Sequence, residues 1–191
     1  GGEQMTEIKG YVVALVDATK GVNDDEGVVW SFYDGWYNGA GCSSEVDDFL
    51  GYSNTAAIKQ AALRDDCPAG EFNGTDLSFP AAWYASDGYE LMAPSPKTSS
   101  GWYLPSIYEM YLVYQAYKNN SLDSALSAVG GSTLANWAYW TVSEVSGNEN
   151  SYAGTLNPVT GAVGTKHKSP TSLSSMPYIA TISWKNSLNS N

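Results

Sequence analysis

Hydrophobic and polar positions divide the chain into a strand-rich start, a helical middle and a strand-rich end. Residues 11–16 form an apolar run rich in valine, the pattern of a buried strand. A polar acidic turn follows over 20–27, and 28–33 predicts a second strand, so the two are expected to pair as a hairpin. A Gly/Ser/Asp loop over 35–48 carries Cys42. Over 54–63, Ile58, Ala61, Ala62 and Leu63 fall on one side of a helix whose start Asn54 or Thr55 can cap. Cys67-Pro68 lies beyond it, where proline cannot continue a helix. Residues 68–100, with Pro68, Pro80, Pro94 and Pro96, read as irregular, apart from a short buried segment over 79–84.

The second half is more regular. Ser106-Ile107-Tyr108-Glu109 has the spacing of a capping box, in which the serine oxygen accepts from the N–H three residues on and the glutamate reaches back to the serine N–H. Met110, Val113, Tyr114 and Tyr117 continue at helical spacing, which predicts a helix over 106–118 ended by Asn119-Asn120. Ser121 opens a shorter helix with Leu122, Ala125, Leu126 and Val129 on its apolar face, and Gly130 supplies a left-handed stop. Strands are then expected over 138–142, 152–156, 162–167 and 178–184, separated by Gly, Asn, Pro and Ser, with Asn157-Pro158-Val159-Thr160-Gly161 as a turn. The order predicts an α+β domain, with helices packed on a mainly antiparallel sheet and long irregular loops. No repeat or linker divides 10–186. Residues 1–9 are expected to be disordered or tag-derived, and 187–191 a tail.

Composition narrows the function classes. The chain has 191 residues, 43% of them apolar, enough for one buried core. Its aromatic inventory is 14 Tyr and 7 Trp against 4 Phe, a balance that favours half-buried surfaces and binding faces, because Tyr and Trp join an apolar body to a polar tip. A formal net charge of −11 excludes a nucleic-acid partner, whose phosphates demand a basic patch, and electrostatic docking on an anionic membrane. No apolar run approaches the ~20 residues of a membrane span. Gly1 reads as a scar of tag removal, so a leader is taken to have been removed and an extracellular or cell-surface location is expected. The two cysteines, Cys42 and Cys67, fit either one disulfide or two buried thiols.

The stretch Gly101-Trp102-Tyr103-Leu104-Pro105-Ser106-Ile107-Tyr108-Glu109-Met110 resembles the "GW-LPS--E" signature of a bacterial surface-protein family in the C-type-lectin-like superfamily, abundant in gut Bacteroidetes and with a formylglycine-generating-enzyme-like outline. Tyr139-Trp140-Thr141-Val142-Ser143-Glu144 looks like the family's "YWSSTE" strand. The helix and double glycine at Gly130-Gly131, the start at Gly51-Tyr52-Ser53-Asn54-Thr55, and the opening and closing strands at 10–16 and 178–184 are similar as well. The resemblance implies a C-type-lectin-like fold and leaves function to the site. Trp102, Pro105, Ser106, Glu109, Trp140 and Glu144 then read as structural: Pro105 delivers the chain to the cap, Glu109 caps, and Glu144, after a buried-looking strand, bonds a loop, with a further role left open.

Catalytic and metal chemistry find little support. The Glu-Pro-Asn or Gln-Pro-Asp loops of calcium-dependent lectins are missing, since Leu156 precedes Asn157-Pro158, and Asn136-Trp137 reverses the order of their Trp-Asn-Asp strand. Asn23-Asp24-Asp25-Glu26, Asp47-Asp48 and Asp65-Asp66 read as solvated turns rather than calcium loops. One histidine and two cysteines make zinc an unsuitable cofactor, and neither metal nor cofactor is expected. His167, in the basic and exposed-looking Lys166-His167-Lys168, has no nucleophile motif to serve. The cysteines lie too early to match the reactive pair of formylglycine generators.

Aromatic surface remains. Trp36 and Tyr37 lie in the glycine-rich loop. Trp83, Tyr84 and Tyr89, with Asp76 and Asp87, lie in the irregular region, and Asn136 and Trp137 precede the Tyr-Trp strand. Rings suit stacking on sugars, and carboxylates accept from hydroxyls. These seven residues, from the irregular region and before the strand, are the expected ligand face. The expected function is a non-enzymatic extracellular adhesion module whose partner is a glycan or a surface protein. A structural subunit of a pilus tip or stalk is the second reading, and a glycan-active enzyme the third.

Overall fold

The computed structural model describes residues 10–18, 27–32, 39–95, 99–119, 121–169 and 184–187. Along the described chain run β1 (Gly10–Val13), α1 (Gly51–Ala61), α2 (Pro80–Ala85), α3 (Asp87–Met92), α4 (Ile107–Lys118), α5 (Leu122–Ala128), β2 (Tyr139–Glu144), β3 (Tyr152–Leu156), β4 (Val163–His167) and β5 (Trp184–Ser187). The class is α+β. β2, β3 and β4 form an antiparallel meander, and β1 pairs with β5 in a separate two-stranded ribbon.

The meander follows its sequence pattern closely. β3 and β4 pair without slippage from Tyr152↔His167 to Leu156↔Val163. Their turn is held by Asn157, whose Oδ1 accepts from the N–H groups of Val159 and Thr160, and it closes on Gly161 at φ +75°. β2 is buried along its whole length and breaks register against β3 between Trp140 and Glu144. That irregularity re-aims the end of the strand.

The expected hairpin between 11–16 and 28–33 does not form. β1 stops at Val13 and takes β5 as its partner, with Gly10↔Ser187 and Val13↔Trp184 in register. The described closing strand, Trp184–Ser187, meets the expected 178–184 at Trp184 and takes in Ser187, placed in the tail above; 178–183 lie outside the described residues. Residues 28–32 are all buried and run under the core instead. The Trp30 N–H donates to the Lys168 carbonyl, the Phe32 N–H to that of Ser78, and the Trp30 indole to that of Thr141. A segment without a polar face gains more from burial on every side than from a ribbon that leaves one side wet.

Helix α1 starts at Gly51, earlier than expected, and Leu50 at its N-cap provides no side-chain bond. Neither Asn54 nor Thr55 caps it. Both are buried inside the helix, where Asn54 Oδ1 accepts from the Ser43 N–H and Thr55 Oγ1 from that of Leu104. Gly51 suits the start because a Cβ there would collide with Glu109 Oε2 and lie 2.7 Å from the Tyr103 ring. The short helices α2 and α3 occupy part of the region that reads as irregular, with Pro80 in the first turn of α2. The main core gathers Trp30, Phe32, Ile58, Phe79, Leu104 and Trp140, with the Phe79 ring edge-on to both Trp30 and Phe32 at 5.8 Å. A second cluster of Tyr103, Ile107, Met110, Val113, Tyr139 and Leu156 seats α4 on the meander.

Candidate functional site

The two motif glutamates are both buried, Glu109 at 1% and Glu144 at 3% exposure. At the N-terminus of α4 the capping box is complete: Ser106 Oγ accepts from the Glu109 N–H at 3.3 Å, and the Ser106 N–H donates to Glu109 Oε2 at 2.8 Å. Ser106 Oγ also donates to the Asp48 carbonyl at 2.7 Å, and the Tyr103 hydroxyl to Glu109 Oε1 at 3.2 Å. Burial pushes the Glu109 carboxyl above the ordinary glutamate range despite these donors. Buried Pro105 accepts from the Val142 N–H through its carbonyl and so ties the run into α4 to β2. Trp140 is fully buried and donates to the Val28 carbonyl at 2.9 Å.

Glu144, at the end of β2, collects partners from far along the chain. Its carboxylate accepts from the N–H groups of Ala40 at 2.8 Å and Cys42 at 2.9 Å and pairs with Lys168 Nζ. Lys168 also donates to the Glu149 carbonyl and lies 4.0 Å from the centre of the Trp30 ring. The expectation of an exposed Lys166-His167-Lys168 is therefore corrected: Lys166 is exposed and His167 half-buried against Tyr152, but Lys168 is in the core. Desolvation lowers its ammonium pKa, with Glu144 opposing. The cysteines are two buried free thiols in place of a disulfide, because they point at different carbonyls, Cys42 at Asn54 and Cys67 at Leu77.

The expected ligand face loses one of its rings to the core. Tyr89 is 3% exposed, so it belongs to the core: its ring stands edge-on to Trp102 at 4.9 Å, and its hydroxyl is bonded by the backbone at Leu15 and Val16. Trp83 and Tyr84 are half-buried, edge-to-face at 4.9 Å, with the Trp83 ring laid over Gly74 and Gly88. Asp76 is exposed beside Tyr84, whose phenol is raised by burial and then by that carboxylate. Asn136 accepts from Asn157 at the meander turn, and Trp137, 47% exposed, bonds the Tyr139 hydroxyl. Trp36, Tyr37 and Asn23-Asp24-Asp25-Glu26 lie outside the described residues. Among the described residues no three His, Cys, Asp or Glu side chains converge as a metal would need.

A concave surface does form at a neighbouring place. A groove of about 490 Å³ runs between α1, α3 and the extended stretch 99–103, within the ~300–1,000 Å³ range of small-ligand sites. It takes in Asp87 and Trp102 from the residues singled out above, and adds Tyr52, Ala56 and Lys59 from one side of α1. Tyr52 is 46% exposed and edge-on to Tyr103, and Trp102 is anchored through its indole N–H to the Ala93 carbonyl at 2.7 Å. Lys59 Nζ pairs with the Asp87 carboxylate. Glu90 Oε1 accepts from both the N–H and the hydroxyl of Ser95, which shapes one end. The signal that would have pointed here is the spacing 52, 56, 59, which puts three side chains on one helical face.

Neither a family model nor a curated protein matches the chain. Among solved structures it is similar to a fimbrial protein from Bacteroides ovatus, with 21% identity and a TM-score of 0.50 over 74% of this chain and 25% of that one. The chain thus spans about a quarter of the fimbrial protein it matches, and at this identity the likeness concerns fold alone.

Proposed function

We propose that the chain is a C-type-lectin-like binding module of a bacterial surface protein, acting outside the cell by adhesion to a glycan or a surface protein rather than by catalysis. The observation that carries this reading is the groove, where two partly exposed aromatic side chains from separate elements, Tyr52 and Trp102, border a polar pair, Lys59 and Asp87. The family reading is supported by where its motifs fall: the GW-LPS--E-like run leads into α4 through a complete capping box, and the Tyr-Trp motif is the buried strand β2. Contacts of this kind are individually modest, so one site is expected to bind on the order of 0.1–1 mM, and adhesion would draw on several copies. The test is an array of neutral and sialylated glycans probed with a multivalent form of the protein. Retention on a defined subset is expected, without release of reducing sugar on prolonged incubation.

The second reading, a structural subunit of a fimbria-like assembly, draws on the fold shared with part of a fimbrial protein. It predicts no glycan retention and incorporation into fibres when the protein is expressed with its neighbours on the cell surface. Loss of fibres on deleting the chain, with an empty array, would favour it over adhesion.

A further inference from the structure

We infer that the groove between α1, α3 and 99–103 is a saccharide subsite, built for a neutral sugar bearing a vicinal diol. This rests on the binding-module reading and deepens it. The polar centre is one donor beside one acceptor, the Lys59 ammonium next to the Asp87 carboxylate, whose side chain is 54% exposed. Two adjacent sugar hydroxyls complement that pair, one donating to the carboxylate and the other accepting from the ammonium. Tyr52 and Trp102 add aromatic surface against which the C–H faces of a pyranose pack. Their positions are braced beforehand, Trp102 by its bond to Ala93 and its contact with Tyr89, and Tyr52 by Tyr103. Ser99 and Ser100 line the same rim.

Charge selects the ligand class. Asp87 and Glu90 outweigh Lys59 in the groove, and the chain as a whole carries −11. Sialylated or sulfated sugars are therefore repelled. A cationic peptide side chain would have to compete with Lys59 for Asp87, whereas a diol uses both partners without separating them.

The experiment uses the whole chain and a panel of neutral trisaccharides, namely maltotriose, cellotriose, xylotriose and mannotriose, with sialyllactose as the anionic comparison, read by saturation-transfer NMR and calorimetry. At least one neutral trisaccharide should bind, and sialyllactose should bind more weakly. Ala56→Trp is the blocking variant, since Ala56 is exposed on α1 and a ring there fills the groove without emptying the core. Asp87→Asn is the second, removing the charged acceptor from an exposed position. Each should weaken binding about tenfold or more with thermal unfolding little changed. Trp137→Ala, at an exposed ring elsewhere, should leave affinity as it was. Wild-type binding that survives both groove variants overturns the inference while leaving a binding module with its site elsewhere. A panel with no binder overturns it too, and if the array is also empty the adhesion reading falls with it. A response only to sialyllactose would overturn the neutral-sugar assignment.

Discussion

Glu109 and Glu144 are both buried carboxylates, one in the first turn of α4 and the other at the end of β2, and they are stabilised in opposite ways. Glu109 is held by neutral donors, the Ser106 N–H and the Tyr103 hydroxyl, all within six residues of it. Glu144 is held by an ammonium and two backbone N–H groups that come from 24 to 104 residues away. The first is a local device that starts a helix. The second is a tertiary clamp that ties the loop at 40–42, the end of β4 and the segment 28–32 to the end of β2. A local device can lose one bond and keep its helix, because packing holds most of it. A buried charge pair cannot lose one partner without stranding the other.

The largest expected effect follows from that difference. Lys168→Met removes the ammonium and leaves the Glu144 carboxylate in the core with the N–H donors of Ala40 and Cys42. We expect a loss of about 3–5 kcal/mol in urea unfolding. Glu144→Gln should cost a comparable amount, since it leaves the ammonium with the Glu149 carbonyl and the Trp30 face. The Glu144→Gln/Lys168→Met double variant should cost clearly less than the two losses added together. Additive losses, or single losses below about 1 kcal/mol, would dissolve the distinction between clamp and cap.

Ser106→Ala tests the other side. It removes the acceptor for the Glu109 N–H and the donor to the Asp48 carbonyl, and should cost about 0.5–2 kcal/mol, near the upper end because both bonds are buried or partly so. Glu109→Gln should be milder at neutral pH and should change the pH profile. At low pH the folded and unfolded states both hold the Glu109 proton. As pH rises past about 4.3 the unfolded carboxyl ionises first, and the folded state, whose pKa is raised, falls behind until its own pKa is passed. Relative to Glu109→Gln, wild-type stability should therefore fall across that window by at most about 1.4 kcal/mol per pH unit. Parallel profiles for the two proteins would mean that the carboxyl is not perturbed.

The same contrast explains what could be read from the chain. The capping box, α4, α5 and the meander strands were legible because their signals lie within a few residues: serine and glutamate three apart, apolar positions at helical spacing, and Asn157 to Gly161 closing a turn. The β1–β5 ribbon was not, because an apolar run announces a strand without naming its partner. Lys168 reads as a surface residue for a related reason. A lysine beside Lys166 and His167 looks solvated until Glu144, 24 residues away, arrives opposite it. In the 68–100 region, prolines concealed two short helices, one of which begins on Pro80. Aromatic type alone does not separate Tyr89, buried edge-on to Trp102, from Tyr52, which is exposed on α1.

The smallest effect is also the most local reporter of the clamp. Cys42 sits in the loop that Glu144 holds by its backbone N–H, and its thiol is pushed up first by burial and then by that carboxylate. Thiolate is the reactive form, so a buried thiol with a raised pKa should be almost inert. In the native protein neither Cys42 nor Cys67 should react with a disulfide reagent on the timescale of mixing, both should react after unfolding, and added reductant should leave the melting temperature unchanged. Had the two formed a disulfide, no thiol would titrate after unfolding and reductant would cost about 2–5 kcal/mol. Glu144→Gln weakens the grip on the loop and removes the charge that opposes the thiolate. Cys42 should then react through local opening, well before global unfolding, while Cys67, bonded to Leu77, should stay protected. Glu109→Gln should expose neither thiol. If both glutamate variants unmask Cys42 at the same rate, the loop is held by the core as a whole and Glu144 is no more a clamp than Glu109.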